Sequence, residues 1–259
     1  VYKRQMVDLP AEFLRIPLAH RALHDVKDGR PENSRAAIQA AISAGYGIEI
    51  DIQRSLDNRA MVFHDDDLAR LAHADGPVTL KDAAALGKTM LRGGDEGIPT
   101  LTEVLAVVAG RVPLLIEIKD QDGEMGANVG PLEQDIAQAL QEYKGPVAVM
   151  SFNPHSVGAM ASLMPHVARG LVTCSYSLAG WRLPSETRAR LRQIPDYETM
   201  GCSFISHDWR DLSRARVAEL KERGAHILCW TVKSPTQEAQ AREIADNITF
   251  EQYMAPFPA

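Results

Sequence analysis

With 259 residues, 45% of them hydrophobic and 24% charged, and no low-complexity run, the chain has enough length to bury a sizeable α/β core and is not a minimal module or a disordered segment. A net charge of −6 without a Lys/Arg cluster excludes the basic face that a nucleic-acid surface needs. No stretch approaches the ~20 apolar residues of a membrane span, and Cys174, Cys202 and Cys229 are odd in number, widely spaced and set in apolar surroundings, so buried thiols and a cytoplasmic location are expected.

Leu14 to Ala19 reads as a first strand running into His20 and Arg21, followed by a polar, glycine-containing loop. Pro31 is expected to open a helix whose alanines at 36, 37, 40, 41 and 44 keep a 3.6-residue period until Gly45 ends it. Ile48 to Ile52 then alternates strictly, so Glu49 and Asp51 share one face of a strand and the isoleucines the other. A polar turn from Leu56 to Arg59 leads into a short strand, Ala60 to Phe63, that delivers His64 and Asp65. Residues 66–98 are irregular, with a short helix around Leu80 to Leu86 and a Gly-rich stretch from Arg92, and read as an insertion. Thr100 and Glu103 have the spacing of a capping box before a helix to Val108.

From there strands and helices alternate, the strands at 112–119, 147–151, 168–173, 203–206, 226–231 and 247–250. Eight strands in this rhythm predict a (β/α)₈ TIM barrel, one domain over residues 1–259 with a small insertion at 66–98 after the second strand and its hairpin. An open doubly wound sheet is the alternative, but no Gly-rich phosphate loop follows any strand.

In such a barrel, functional residues gather at the C-terminal strand ends. His20, Arg21, Glu49, Asp51 and His64 fall there, and so do Glu117 and Lys119, which share a strand face as Glu49 and Asp51 do. Acids on the inner face of a buried parallel strand cost several kcal/mol unless compensated, so they ask for a ligand. Three carboxylates without a cysteine suggest an all-oxygen site for Mg²⁺ or Ca²⁺ rather than zinc; a buried ion-pair network is the other reading.

These residues carry a resemblance. His20-Arg21, Pro31-Glu32-Asn33-Ser34, Glu49-Ile50-Asp51, His64-Asp65 with Leu68 and Arg70, Ile98 to Leu105, Glu117-Ile118-Lys119, Ser151-Phe152-Asn153 and Trp230-Thr231-Val232 are collinear over nearly the whole chain. In this the chain resembles the glycerophosphodiester phosphodiesterase family. The resemblance implies a divalent cation, Mg²⁺ or Ca²⁺, on Glu49, Asp51 and Glu117, with His20 and His64 as the acid/base pair. It also implies phosphate contacts from Arg21 and Lys119, with Glu32 supporting the loop or the metal shell. Trp230 is expected to line the pocket floor against the apolar side of the substrate.

Two departures stand out. Ala22 replaces the glycine of the family's H-R-G, which matters if that position has a positive φ, and Phe250 and Glu251 stand where the family carries a T-D-x-P or T-N-x-P segment. His24-Asp25 reads as a loop pair, and His73, His155, His166, His207 and His226 as structural or surface residues. The expected reaction is metal-dependent hydrolysis of a glycerophosphodiester to an alcohol and sn-glycerol 3-phosphate. The runners-up are a lysophospholipase D-like enzyme, whose apolar groove segment 66–98 would have to supply, and a barrel that binds phosphodiesters without catalysis. The expected partner is a small molecule, not nucleic acid, and a homo-oligomer stays open.

Overall fold

In the computed structural model, which describes residues 6–258, eight parallel strands close on themselves. The elements run α1 (Glu12–Arg15), β1 (Leu18–Ala19), α2 (Arg35–Ala44), β2 (Gly47–Arg54), β3 (Ala60–Val62), α3 (Ala83–Lys88), α4 (Leu101–Val108), β4 (Leu114–Ile118), α5 (Pro131–Leu140), β5 (Val147–Ser151) and α6 (Pro154–Leu163). They continue with β6 (Ala168–Thr173), α7 (Ser185–Arg192), β7 (Phe204–Asp208), α8 (Ala215–Glu222), β8 (His226–Val232), α9 (Pro235–Ala241) and β9 (Asn247–Phe250). Neighbours pair in parallel from β2 through β4 to β9, and β1 pairs with both β9 and β2, which closes the ring. This is the expected (β/α)₈ barrel. The antiparallel β3 hangs on the far end of β2.

The alternation in β2 explains the layering. Ile48, Ile50 and Ile52 point outward and pack with Ala37, Ile38 and Ala41 of α2, while the opposite face looks into the barrel. Ser34 caps α2 by accepting from the Ala37 N–H, Gly45 ends it at φ 78°, and Thr100 and Glu103 form both bonds of the expected capping box on α4. Inside, Leu18, Leu115, Ala148, Ala168, Phe204 and Leu228 fill the lower barrel. Gly170 makes room there, since a Cβ on it would sit 2.4 Å from the Phe204 ring.

Two expected elements differ. Leu14 to Ala19 is not one strand: α1 ends at Arg15, and only Leu18 and Ala19 join the sheet. Those apolar residues plug the barrel floor instead, with Phe13 and Leu9 packed beneath Leu18 and with the Asn247 amide donating to the Phe13 and Ile16 carbonyls. Helix α2 starts at Arg35 rather than Pro31, because Asn33 at φ 61° turns the chain just before the cap. Residues 66–98 pack Leu68, Ala72, Val78, Leu86, Leu91 and Ile98 against Met61 and Phe63 of the hairpin in a separate small cluster. No helix of the described residues is long and apolar enough to cross a membrane.

Candidate active site

Register brings the acids together at the C-terminal mouth. Asp51 of β2 lies opposite Glu117 of β4, and with Glu49 they offer oxygens within 4.8 Å of one another, all in buried side chains. The Lys119 Nζ sits 2.6 Å from both Asp51 Oδ1 and Glu117 Oε1. Asp51 is gripped further by Asn33, whose Nδ2 donates to Oδ2 at 2.9 Å and whose Oδ1 accepts the Asp51 N–H at 3.2 Å. Burial, together with the charges of Asp51 and Glu117, pushes the Glu49 carboxyl well above its ordinary value. Burial opposes ionisation of Asp51 too, but Lys119, His64 and Arg21 hold that carboxyl far below its usual range. Among the described residues, the Lys and Arg side chains paired with the three acids are Lys119 and an Arg21 shared with Glu32, so negative charge is in excess. Hard oxygen donors with surplus negative charge fit a divalent cation.

Arg21 and Ala22 both adopt left-handed backbone, at φ 53° and 65°. Each costs ~1–2 kcal/mol for a residue with a Cβ. The turn persists because the Ala22 N–H donates to the Glu49 carbonyl and the Arg21 carbonyl accepts from Asn33 N–H. It points the Arg21 N–H at Glu49 Oε2, 2.9 Å away. The Arg21 Nη1 holds Glu32 Oε1 at 2.7 Å, and its buried Nε, without a hydrogen-bond partner among the described residues, faces Asp51 Oδ2 at 3.6 Å.

The two histidines are held alike. His64 Nδ1 lies 2.6 Å from Asp65 Oδ1, and Arg70 clamps Asp65 while also reaching Glu32 at 3.0 Å. His20 Nδ1 lies 2.6 Å from Glu251 Oε2, just past the end of β9. A carboxylate only accepts, so in both rings Nδ1 carries the proton and Nε2 is left for other work. Burial lowers the pKa of His20, and the Glu251 hydrogen bond works against that.

Together His20, Arg21, Glu49, Asp51, His64, Glu117 and Lys119 line one cavity of about 100 Å³, with Trp230 and Phe152 on its far wall. Such a set at a barrel mouth is suited to neutralising an anionic group while two imidazoles move protons beside it. The profile of the Glycerophosphoryl diester phosphodiesterase family matches residues 20–249. The chain belongs to this family. It is 26% identical over 219 residues to YhdW of Bacillus subtilis strain 168, covering 81% of this chain and 84% of that protein. It is 33% identical over 166 residues to a glycerophosphodiester phosphodiesterase of Caldanaerobacter subterraneus subsp. tengcongensis, covering 60% of this chain and 65% of that protein. Its fold matches a phosphodiesterase of Oleispira antarctica solved with the product sn-glycerol-3-phosphate, with a TM-score of 0.74, 23% identity, and coverage of 92% and 94% of the two chains.

All the expected site residues of this phosphodiesterase-family chain thus converge, with Glu32 one step back behind Arg21 and Arg70. Trp230 stands on the wall, its Nε1 donating to the Ser206 carbonyl and its ring edge-on to Phe152. Three partners went unassigned in the sequence. Asn33 lay within a quoted motif, and its φ and amide contacts give it a task that the motif alone does not reveal. His24 is not merely a loop residue: its Nε2 reaches Glu251 Oε2 at 3.4 Å. Glu251 stood out in the sequence as a departure at the end of the last strand, but nothing local pointed to its partner, which is 231 positions away. The other histidines behave as expected where their contacts are defined, His207 being buried between Thr173 and Asp211.

Beside His64 the mouth widens into a groove of about 610 Å³ whose apolar wall is Met125, Phe152, Trp181, Leu183 and Trp230. These come from the loops after β4 and β6 and from the strand ends, so residues 66–98 are not the source of the apolar surface.

Proposed function

We propose that this chain, working as one barrel domain, hydrolyses glycerophosphodiesters to an alcohol and sn-glycerol 3-phosphate with His20 and His64 as its acid/base pair. The observation that carries this reading is the meeting of two carboxylate-held histidines, three acids and two cations in one small cavity. Glu49, Asp51 and Glu117 would hold a divalent cation, Mg²⁺ or Ca²⁺. When bound, such an ion offsets charge on the phosphate oxygens. Arg21 and Lys119 neutralise the remaining oxygens as charge builds toward the transition state, and Glu32 keeps the Arg21 guanidinium in place. One imidazole Nε2 takes the proton of the attacking hydroxyl and the other gives one to the departing alkoxide. The attacking group is water or the neighbouring glycerol hydroxyl through a cyclic phosphate; a transient cyclic product would identify the second route. Trp230 packs against the apolar side of the substrate. The buried free thiols of Cys174, Cys202 and Cys229 agree with a reducing, cytoplasmic setting.

The test is product analysis on glycerophosphocholine. Choline and glycerol 3-phosphate should form in the presence of Mg²⁺ or Ca²⁺ and not with a chelator; chelator-resistant turnover would remove the cation from the account.

The groove beside His64 favours a second reading, in which the leaving alcohol or the retained arm carries an acyl chain, as in a lysophospholipase D. Turnover of lysophosphatidylcholine at a higher kcat/KM than glycerophosphocholine would select it.

A further inference from the structure

Glu251 is the most unusual carboxylate of the mouth outside the acid cluster. It lies one residue past β9, where the sequence departs from the family pattern, and its side chain is only 10% exposed. Its Oε2 meets His20 Nδ1 at 2.6 Å and His24 Nε2 at 3.4 Å. Its Oε1 meets Lys233 Nζ at 2.6 Å and Gln252 Nε2 at 3.3 Å. The backbone is anchored as well, since the Glu251 N–H donates to the Val232 carbonyl. On the same stretch the Phe250 carbonyl accepts from the His20 N–H. The last strand therefore grips His20 twice, at its backbone and at its ring.

From this geometry we infer that Glu251 is the positioning residue of His20: it fixes the Nδ1–H tautomer, aims Nε2 at the phosphate, and supports positive charge on the ring during proton transfer. The inference rests on the acid/base reading of His20 above. Three features favour it over a mere surface ion pair. The contact is short and nearly enclosed, so water does not screen it as it screens a surface pair. The arrangement repeats the one at His64, where Asp65 takes the same ring nitrogen and Arg70 backs it as Lys233 backs Glu251. A neutral imidazole free to flip would present the wrong nitrogen part of the time, which a carboxylate at Nδ1 prevents. His20, His24 and Glu251 also have the donor spacing of a metal site, but the Lys233 ammonium already supplies a cation to that carboxylate.

The test is steady-state kinetics on glycerophosphocholine with saturating Mg²⁺, for wild type, His20→Ala, Glu251→Ala, Glu251→Gln and the double variant His20→Ala/Glu251→Ala. Acid/base groups supply ~10²–10⁴-fold, so loss of the residue that aims one is expected to lower kcat by about 10- to 100-fold with KM within about twofold. Glu251→Gln keeps an acceptor for Nδ1–H but not the charge, and should recover part of that loss. In the His20→Ala background Glu251→Ala should change kcat by less than about twofold, because the residue acts only through the ring. A kcat within twofold of wild type in Glu251→Ala, beside a large loss in His20→Ala, overturns the inference and leaves the proposed function standing. A loss from Glu251→Ala as large in the His20→Ala background as alone makes it a structural residue and also overturns it. Full activity in His20→Ala removes the acid/base reading itself, and this inference with it.

Discussion

His64 and His20 face the same cavity and are held by the same device, a carboxylate at Nδ1 backed by a cation, but the two supports differ in range. The carboxylate and the cation that hold His64 come from one stretch, since Asp65 is its neighbour in sequence and Arg70 follows within residues 66–98, and Glu32 from an earlier loop links Arg70 to Arg21. Around His20 the support comes from the other end of the chain, Glu251 and Lys233, and exists only because β1 closes the barrel against β9. The first arrangement needs only a hairpin and a loop. The second needs the whole ring, so His20 is in place only once the fold is complete.

Asp51 belongs to both halves, since Lys119, Arg21 and Asn33 all converge on it, and breaking it should collapse the comparison. Asp51→Asn is expected to cut kcat/KM by about 10²–10³-fold, the scale of losing one preorganised electrostatic group. A change below tenfold would mean that Asp51 is structural. Asp65→Ala should mirror Glu251→Ala, with kcat down by about 10- to 100-fold and KM nearly unchanged, as the proposed function gives its partner His64 the same acid/base task as His20. Arg70→Ala should cost less than Asp65→Ala, because its guanidinium is half exposed and screened. Kinetics of the two variants side by side decide this, and the reverse order would place the control of His64 in Arg70.

Acid titration of stability sharpens the same contrast. Burial alone would raise both carboxyls, but hydrogen bonds from Arg70 and His64 hold Asp65, and those from His20 and His24 hold Glu251, far below the usual carboxylate range. A carboxyl lowered in the folded state adds stability that is present above its unfolded pKa and is lost as pH falls through the folded value. The stability gap between wild type and Glu251→Gln should therefore be full at pH 7 and shrink below about pH 4, near the ordinary carboxylate pKa. Asp65→Asn should behave likewise but with a smaller gap, its side chain being 22% exposed against 10% for Glu251. Chemical denaturation at several pH values measures both gaps; a gap that widens in acid contradicts the assignment.

The smallest expected effect lies in the turn that carries His20. Ala22 is held at φ 65°, so Ala22→Gly should relieve strain and raise stability by up to ~1 kcal/mol, seen as a higher Tm. A lower Tm would show that the buried methyl packs better than the turn is strained.

The same difference in range explains what could be read from the sequence. Strict alternation puts Glu49 and Asp51 on one face of β2, and Glu117 of β4 with Lys119 just past its end on one face likewise, because a period of two leaves them no other place. The βα rhythm supplied the barrel. The expected strand from Leu14 failed because apolar residues that plug a floor have the same composition as residues in a strand, and only the closed ring shows that a floor is needed. Glu251 and His24 stayed obscure for a related reason: their meeting depends on closure between the first and last strands, which no local pattern encodes. Ala22 lies between these cases. The sequence raised the question of its φ, and the turn into Asn33 and Glu49 answers it.

On the proposed function, His20 and His64 are the two proton-transfer groups of one phosphodiesterase site. Single-turnover release of glycerol 3-phosphate from glycerophosphocholine, followed with Mg²⁺ for wild type, His20→Ala and His64→Ala, tests it most directly. Each variant is expected to be slower than wild type by about 10²–10⁴-fold with substrate binding largely kept. Wild-type release by either variant would contradict the account.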